Sequence, residues 1–108
     1  MGHIAVDLDC TLAYYDGWKG PAHIGDPIPA MAQRLREWLA SGREVVIFTA
    51  RASRSYDERD LAIATIQDWT QRHFGVRLRV TAEKDFDTVQ IWDDRARQVT
   101  ANTGILVK

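Results

Sequence analysis

A chain of 108 residues is long enough for one domain with one core and too short for a separate second one. Hydrophobic residues at 45%, charged residues at 27% and a formal net charge of −1 describe an ordinary globular protein with no overall basic field to hold nucleic acid. A single cysteine, Cys10, excludes an internal disulfide and a multi-cysteine zinc site. No apolar run reaches the length of a membrane span, and the N-terminus lacks the charged start and long apolar segment of a secretory signal, so a cytoplasmic location is expected.

In chain order, residues 3–8 read as a buried strand that ends abruptly in Asp7 and Asp9, with Thr11 close behind. Residues 10–28 form a long connection rich in glycine, proline and aromatics. A loop of that length in so small a domain points to function. Pro29 suits the first position of a helix whose apolar face is Met31, Leu35, Trp38 and Leu39, stopped at Gly42. Residues 44–48 are a second buried strand ending at Thr49-Ala50-Arg51. Ser55-Tyr56-Asp57-Glu58 has capping-box spacing and is expected to open a second helix. Ala62, Ile66, Trp69 and His73 form one face of that helix, and Gly75 closes it. Residues 77–81 alternate as a third, more exposed strand, and residues 89–92 form a fourth that ends in Asp93 and Asp94. A short helix near 95–101 and an edge strand at 105–107 complete the expected order. Alternating strands and helices define an α/β domain over residues 1–108, with a mainly parallel five-stranded sheet and helices on both faces.

Two acids at a strand tip repel each other unless a cation or another positive group lies between them. In an open parallel sheet, ligands bind beyond the carboxyl ends of the strands. Asp7 and Asp9, Thr49, and Asp93 with Asp94 all stand at such ends, and Lys84 lies just before the fourth strand. Gathered together, they suit phosphoryl transfer at a Mg²⁺ ion, which takes oxygen ligands from a few carboxylates. One carboxylate would attack phosphorus and a second would move protons. Thr49 and Lys84 would hold the remaining phosphate oxygens.

These motifs resemble those of the haloacid dehalogenase (HAD) superfamily, most of whose members are phosphohydrolases. Asp7-Leu8-Asp9-Cys10-Thr11 is similar to the family's Asp-x-Asp-x-Thr, Thr49 to its second motif, Lys84 to its third and Asp93-Asp94 to its fourth, all in the family order. The resemblance covers nearly the whole chain and implies a Rossmann-like HAD core. It implies Asp7 as nucleophile and Asp9 as general acid/base. It also implies Mg²⁺ held by Asp7, the backbone carbonyl of Asp9, and Asp94, with Asp93 helping. The sequence departs from the family at Cys10, where glycine is common, and has the doubled-acid form of the fourth motif.

No segment is long enough for the cap domain that many members carry. A capless, open site implies a bulky phosphorylated substrate, such as a nucleotide or a nucleic-acid end, or a partner subunit in a homodimer. Nucleic acid is expected only as substrate, and no membrane partner is expected. Thr11 and Arg51 are further candidate substrate contacts, although a structural ion pair accounts for Arg51 equally well. Tyr14, Tyr15 and Trp18 are candidates to stack on a substrate ring from the loop, or to pack that loop on the domain. Trp38, Trp69 and Trp92 read as core, and His3, His23 and His73 lack metal-ligand spacing. Two rivals remain. One is a binding module that keeps the site without useful turnover. The other is a phosphoacceptor signalling domain, disfavoured because the middle strand ends in threonine rather than an acceptor aspartate.

Overall fold

The first apolar run forms β1, His3–Asp7, with Ile4, Ala5 and Val6 all buried. The computed structural model describes residues 2–108. Helix α1 spans Pro29–Ala40, β2 spans Val45–Phe48, α2 spans Arg59–Phe74, β3 is the two-residue Val80–Thr81, and β4 spans Thr88–Trp92. The strands form one sheet in the order β3-β2-β1-β4, and every pairing is parallel. No helix among the described residues is long and apolar enough to cross a membrane.

The register sets the site. Ile4 lies opposite Val45 and Asp7 opposite Phe48, so Thr49 follows at the same level as the end of β1. On the other side Val6 lies opposite Trp92, which brings Asp93 level with Asp7. The three strand tips therefore open on one rim.

The sheet has four strands, not the expected five. Residues 98–107 fold back as a small antiparallel turn of their own, bridged at Val99 and Leu106, with Thr100 N donating to Ile105 O at 2.7 Å and Val107 N to Gln98 O at 2.8 Å. The expected helix over 95–101 is absent as well. Asn102 and Gly104 both adopt positive φ, at 65° and 73°, which closes a tight reversal where a helix would need continuous right-handed backbone.

The helices cover one face of the sheet rather than both. Ile4, Val6, Val45 and Ile47, which point to one side, share a core cluster with Met31 and Leu35 of α1 and Ile66 and Trp69 of α2. The chain steps from β1 to β2 to β3 in a single direction, and right-handed crossovers put both helices on the same side. The return to β4 runs through residues 82–87, too short a segment to carry a covering helix. The other face bears Ala5, Val46, Val89 and Ile91, of which the last two are exposed.

Helix α1 begins with Pro29, whose missing N–H costs nothing at that position. Trp38 packs against Trp92 with centroids 5.2 Å apart, tying α1 to β4. Helix α2 begins later than the capping-box spacing suggests, at Arg59, and Glu58 makes no side-chain cap. The Ser55–Glu58 stretch is instead a pair of turns, with Tyr56 N donating to Ser53 O and Arg59 N to Tyr56 O. Gly75 ends α2 with φ at 79°, as expected of a left-handed stop.

The long loop is anchored rather than free. Leu12 and Ala13 are buried, Tyr14 N donates to Asp26 O at 2.8 Å, and the Trp69 indole donates to Gly25 O at 3.1 Å. Gly25 passes so close to Tyr14 that a Cβ there would lie 2.0 Å from the Tyr14 carbonyl oxygen.

Candidate active site at the strand ends

A cavity of about 550 Å³ opens at the rim. Asp7, Asp9, Thr49, Asp93 and Asp94 all line it, although they come from three separate strand ends. Asp7, Asp93 and Asp94 each offer a carboxylate oxygen within 4.8 Å of the others. Three hard oxygen ligands in that compass suit a small divalent cation that keeps part of its water shell. Asp9 is not one of the three.

Thr11 organises this cup. Its hydroxyl lies 3.0 Å from Asp94 Oδ1 and 3.4 Å from Asp7 Oδ2, so its one proton serves Asp94 better. The same oxygen accepts from Asp94 N at 3.0 Å. Asp93 is oriented by accepting from Arg95 N at 2.7 Å. Burial, then the charge of Asp93, then hydrogen bonding and charge from Asp94, raise the Asp7 pKa from its ordinary 3.8 to about 7. Asp94 is pulled in opposite directions. Partial desolvation raises it, but hydrogen bonds with Thr11 and Asp7 outweigh that and leave it below the usual carboxylate range. Crowded acids of this kind hold a proton between them until a cation replaces it.

Asp9 faces a different partner. Arg51 Nε donates to Asp9 Oδ2 at 2.9 Å and Nη2 to Oδ1 at 2.8 Å, a two-point pair. Arg51 is buried, donates through Nη1 to the His23 carbonyl at 2.9 Å, and lies 4.9 Å from the centre of the Trp18 ring. One guanidinium thus joins the β2 exit to Asp9 and to two points of the long loop. Arg51 makes the ion pair and also stands in the cavity wall.

Thr49 is buried and its oxygen accepts from Arg51 N at 3.2 Å, capping the 3₁₀ turn Ala50–Ala52. Its proton remains available to a ligand oxygen. Cys10 lines the cavity with its backbone in the left-handed region, φ 72°. Partial desolvation, then the charges of Asp94, Asp9 and Asp7, raise its thiol pKa.

Three sequence expectations stand apart from this cavity: Lys84, Tyr14 and Thr11, the last of which contacts Asp7 and Asp94 without itself joining the wall. Lys84 is exposed in the β3–β4 loop and is not in the cavity wall. Tyr14 is 62% exposed and also lies outside it, whereas Tyr15 and Trp18 are in the wall. Among the wall residues that the sequence did not put forward for the site are Ser53, Tyr56 and Arg95. Arg95 could have been found from its place directly after the acidic pair. Tyr56 belongs to a turn whose periodicity says nothing about direction.

Compared with protein-family models, curated proteins and solved structures, the chain finds no significant match.

Proposed function

We propose that the protein is a Mg²⁺-dependent phosphohydrolase of HAD type, cleaving a phosphate monoester through a phosphorylated Asp7. The observation that supports this most is the meeting of Asp7, Asp93 and Asp94 within 4.8 Å, with Thr49 and Asp9 around the same cavity. Asp7, Asp93 and Asp94 would hold the cation, which when bound supplies charge neutralisation for an incoming phosphate dianion. Asp7 attacks phosphorus in its ionised form, and the ester oxygen leaves opposite it. Asp9 gives that oxygen a proton and later takes one from the water that releases phosphate from Asp7. Thr49 donates to a non-transferring oxygen. Arg95, in the wall, is the cation better placed than Lys84 to share that task.

Hydrolysis of p-nitrophenyl phosphate tests this. Turnover should require the divalent cation and fall on the order of a thousandfold or more in Asp7→Asn. An Asp7→Asn protein as active as wild type would remove Asp7 from the chemistry.

Two observations favour a second reading, a module that binds phosphate or cation without useful turnover. Lys84 stands outside the wall, and both oxygens of Asp9 are engaged by Arg51. Cation binding with no hydrolysis of any phosphomonoester would support that reading instead.

A further inference from the structure

The cavity wall carries two unlike sets of groups. One is acidic, with Asp7 and the buried Thr49. The other is aromatic and partly open to solvent. Trp18 and Tyr15 reach this wall from the long loop, and Tyr56 reaches it from the turn before α2. Trp18 and Tyr56 meet edge to face, with ring centroids 6.1 Å apart. Trp18 is held in place because the guanidinium over its ring is itself fixed by Asp9 and by the His23 carbonyl. Even so, Trp18 keeps 52% of its surface exposed and Tyr15 keeps 37%. Neither Trp18 nor Tyr56 belongs to the core cluster. Core packing therefore does not explain rings that are fixed in position yet left open on a cavity wall.

We infer that this wall is a subsite for a planar ring in the leaving group, and that the substrate is a monophosphate ester of the nucleoside monophosphate class. The phosphate end of this inference rests on the phosphohydrolase reading; the ring end does not. A cavity of about 550 Å³ lies in the size range of small-molecule sites. Charge selects one phosphate rather than a chain of them. The wall holds four carboxylates, Asp7, Asp9, Asp93 and Asp94, against two guanidinium groups, Arg51 and Arg95. One divalent cation brings that set to formal neutrality, so each phosphate adds uncompensated negative charge and a single one is carried far more easily than a chain. The arginines next along the surface are engaged elsewhere: Arg54 pairs with Glu83 at 2.9 Å, and Arg59 donates to the Ala52 carbonyl at 2.7 Å. A polynucleotide backbone thus has no basic track to follow.

The test compares kcat/KM for adenosine 5′-monophosphate and for glycerol 3-phosphate with Mg²⁺ present. Base–aromatic stacking predicts a preference of roughly tenfold or more for the nucleotide. Tyr56→Leu and Trp18→Leu, each checked for folding by circular dichroism, should each lower that preference about tenfold. Tyr56→Leu is the cleaner variant, because Trp18 also covers Arg51. Equal kcat/KM values in the wild type, or a preference that survives both substitutions, would overturn the subsite and leave the phosphohydrolase reading standing. If neither ester is hydrolysed, that reading fails, and equilibrium dialysis with adenosine alone decides the subsite. Saturable binding that weakens in Tyr56→Leu supports it, and no binding overturns it.

Discussion

Arg51 and Asp9, 42 positions apart, are joined through both carboxylate oxygens at 2.9 and 2.8 Å, with the guanidinium almost wholly buried. Removing one partner of such a pair leaves the other charged and poorly solvated. Arg51→Ala should therefore destabilise the protein by about 3 kcal/mol, read as a lower denaturation midpoint. Arg51→Lys keeps the charge but loses the two-point geometry and the ring contact, and should cost about half as much. Tryptophan fluorescence should report the change as well, since Trp18 loses the group that covers it.

The raised pKa of Asp7 gives stability a definite pH dependence. Between its ordinary 3.8 and about 7, the folded protein keeps a proton that the unfolded chain has released. Stability of the cation-free protein should then fall as pH rises through that window and level off above it. Asp7→Asn should flatten this slope in melting experiments run from pH 4 to pH 8. Added Mg²⁺ should raise the melting temperature at pH 8 and do little at pH 5, where the proton occupies its place.

Thr11 links the first strand's exit to the last. Thr11→Val keeps the shape and removes the hydroxyl that both donates to Asp94 and accepts from its N–H. A loss of about 1–2 kcal/mol is expected from the unpaired Asp94 groups. In an Asp94→Asn background the penalty should shrink, and a double-mutant cycle by chemical denaturation measures the difference.

Cys10 occupies a backbone conformation that glycine adopts without strain. Cys10→Gly should stabilise the fold by about 0.5–1 kcal/mol, since relief of left-handed strain exceeds the added freedom of the unfolded chain. A calorimetric melt checks it. Hydrolysis by Cys10→Gly should persist, because no step of the proposed reaction uses the thiol.

The strand-end acids were legible in the sequence because β1 and β2 are short apolar runs with abrupt polar ends, and a parallel sheet aligns such ends. The grouping of Asp7, Thr49, Asp93 and Asp94 follows from that rule alone. Arg51 was legible as a residue but not as a contact, since periodicity does not say which of two nearby groups a long side chain will reach. The sequence pattern misleads over residues 95–101 and 105–107. Val99 and Thr100 sit at positions that pattern alone assigns to helix or strand, and the positive φ of Asn102 and Gly104 decides for a tight reversal. Crowding of both helices on one face followed from strand order, which hydropathy does not encode. Tyr56 carries no site signal in the sequence, because capping-box spacing reads its turn as the start of a helix.

The acid cup draws Asp7 from the end of β1 and Asp93 and Asp94 from the end of β4, with α1, β2, α2 and β3 strung between them. A cation seated there would work as a clasp on the closed circuit of the backbone. Its grip would be felt only once the whole circuit had formed, so occupancy of the cup should report complete folding rather than the formation of any single part.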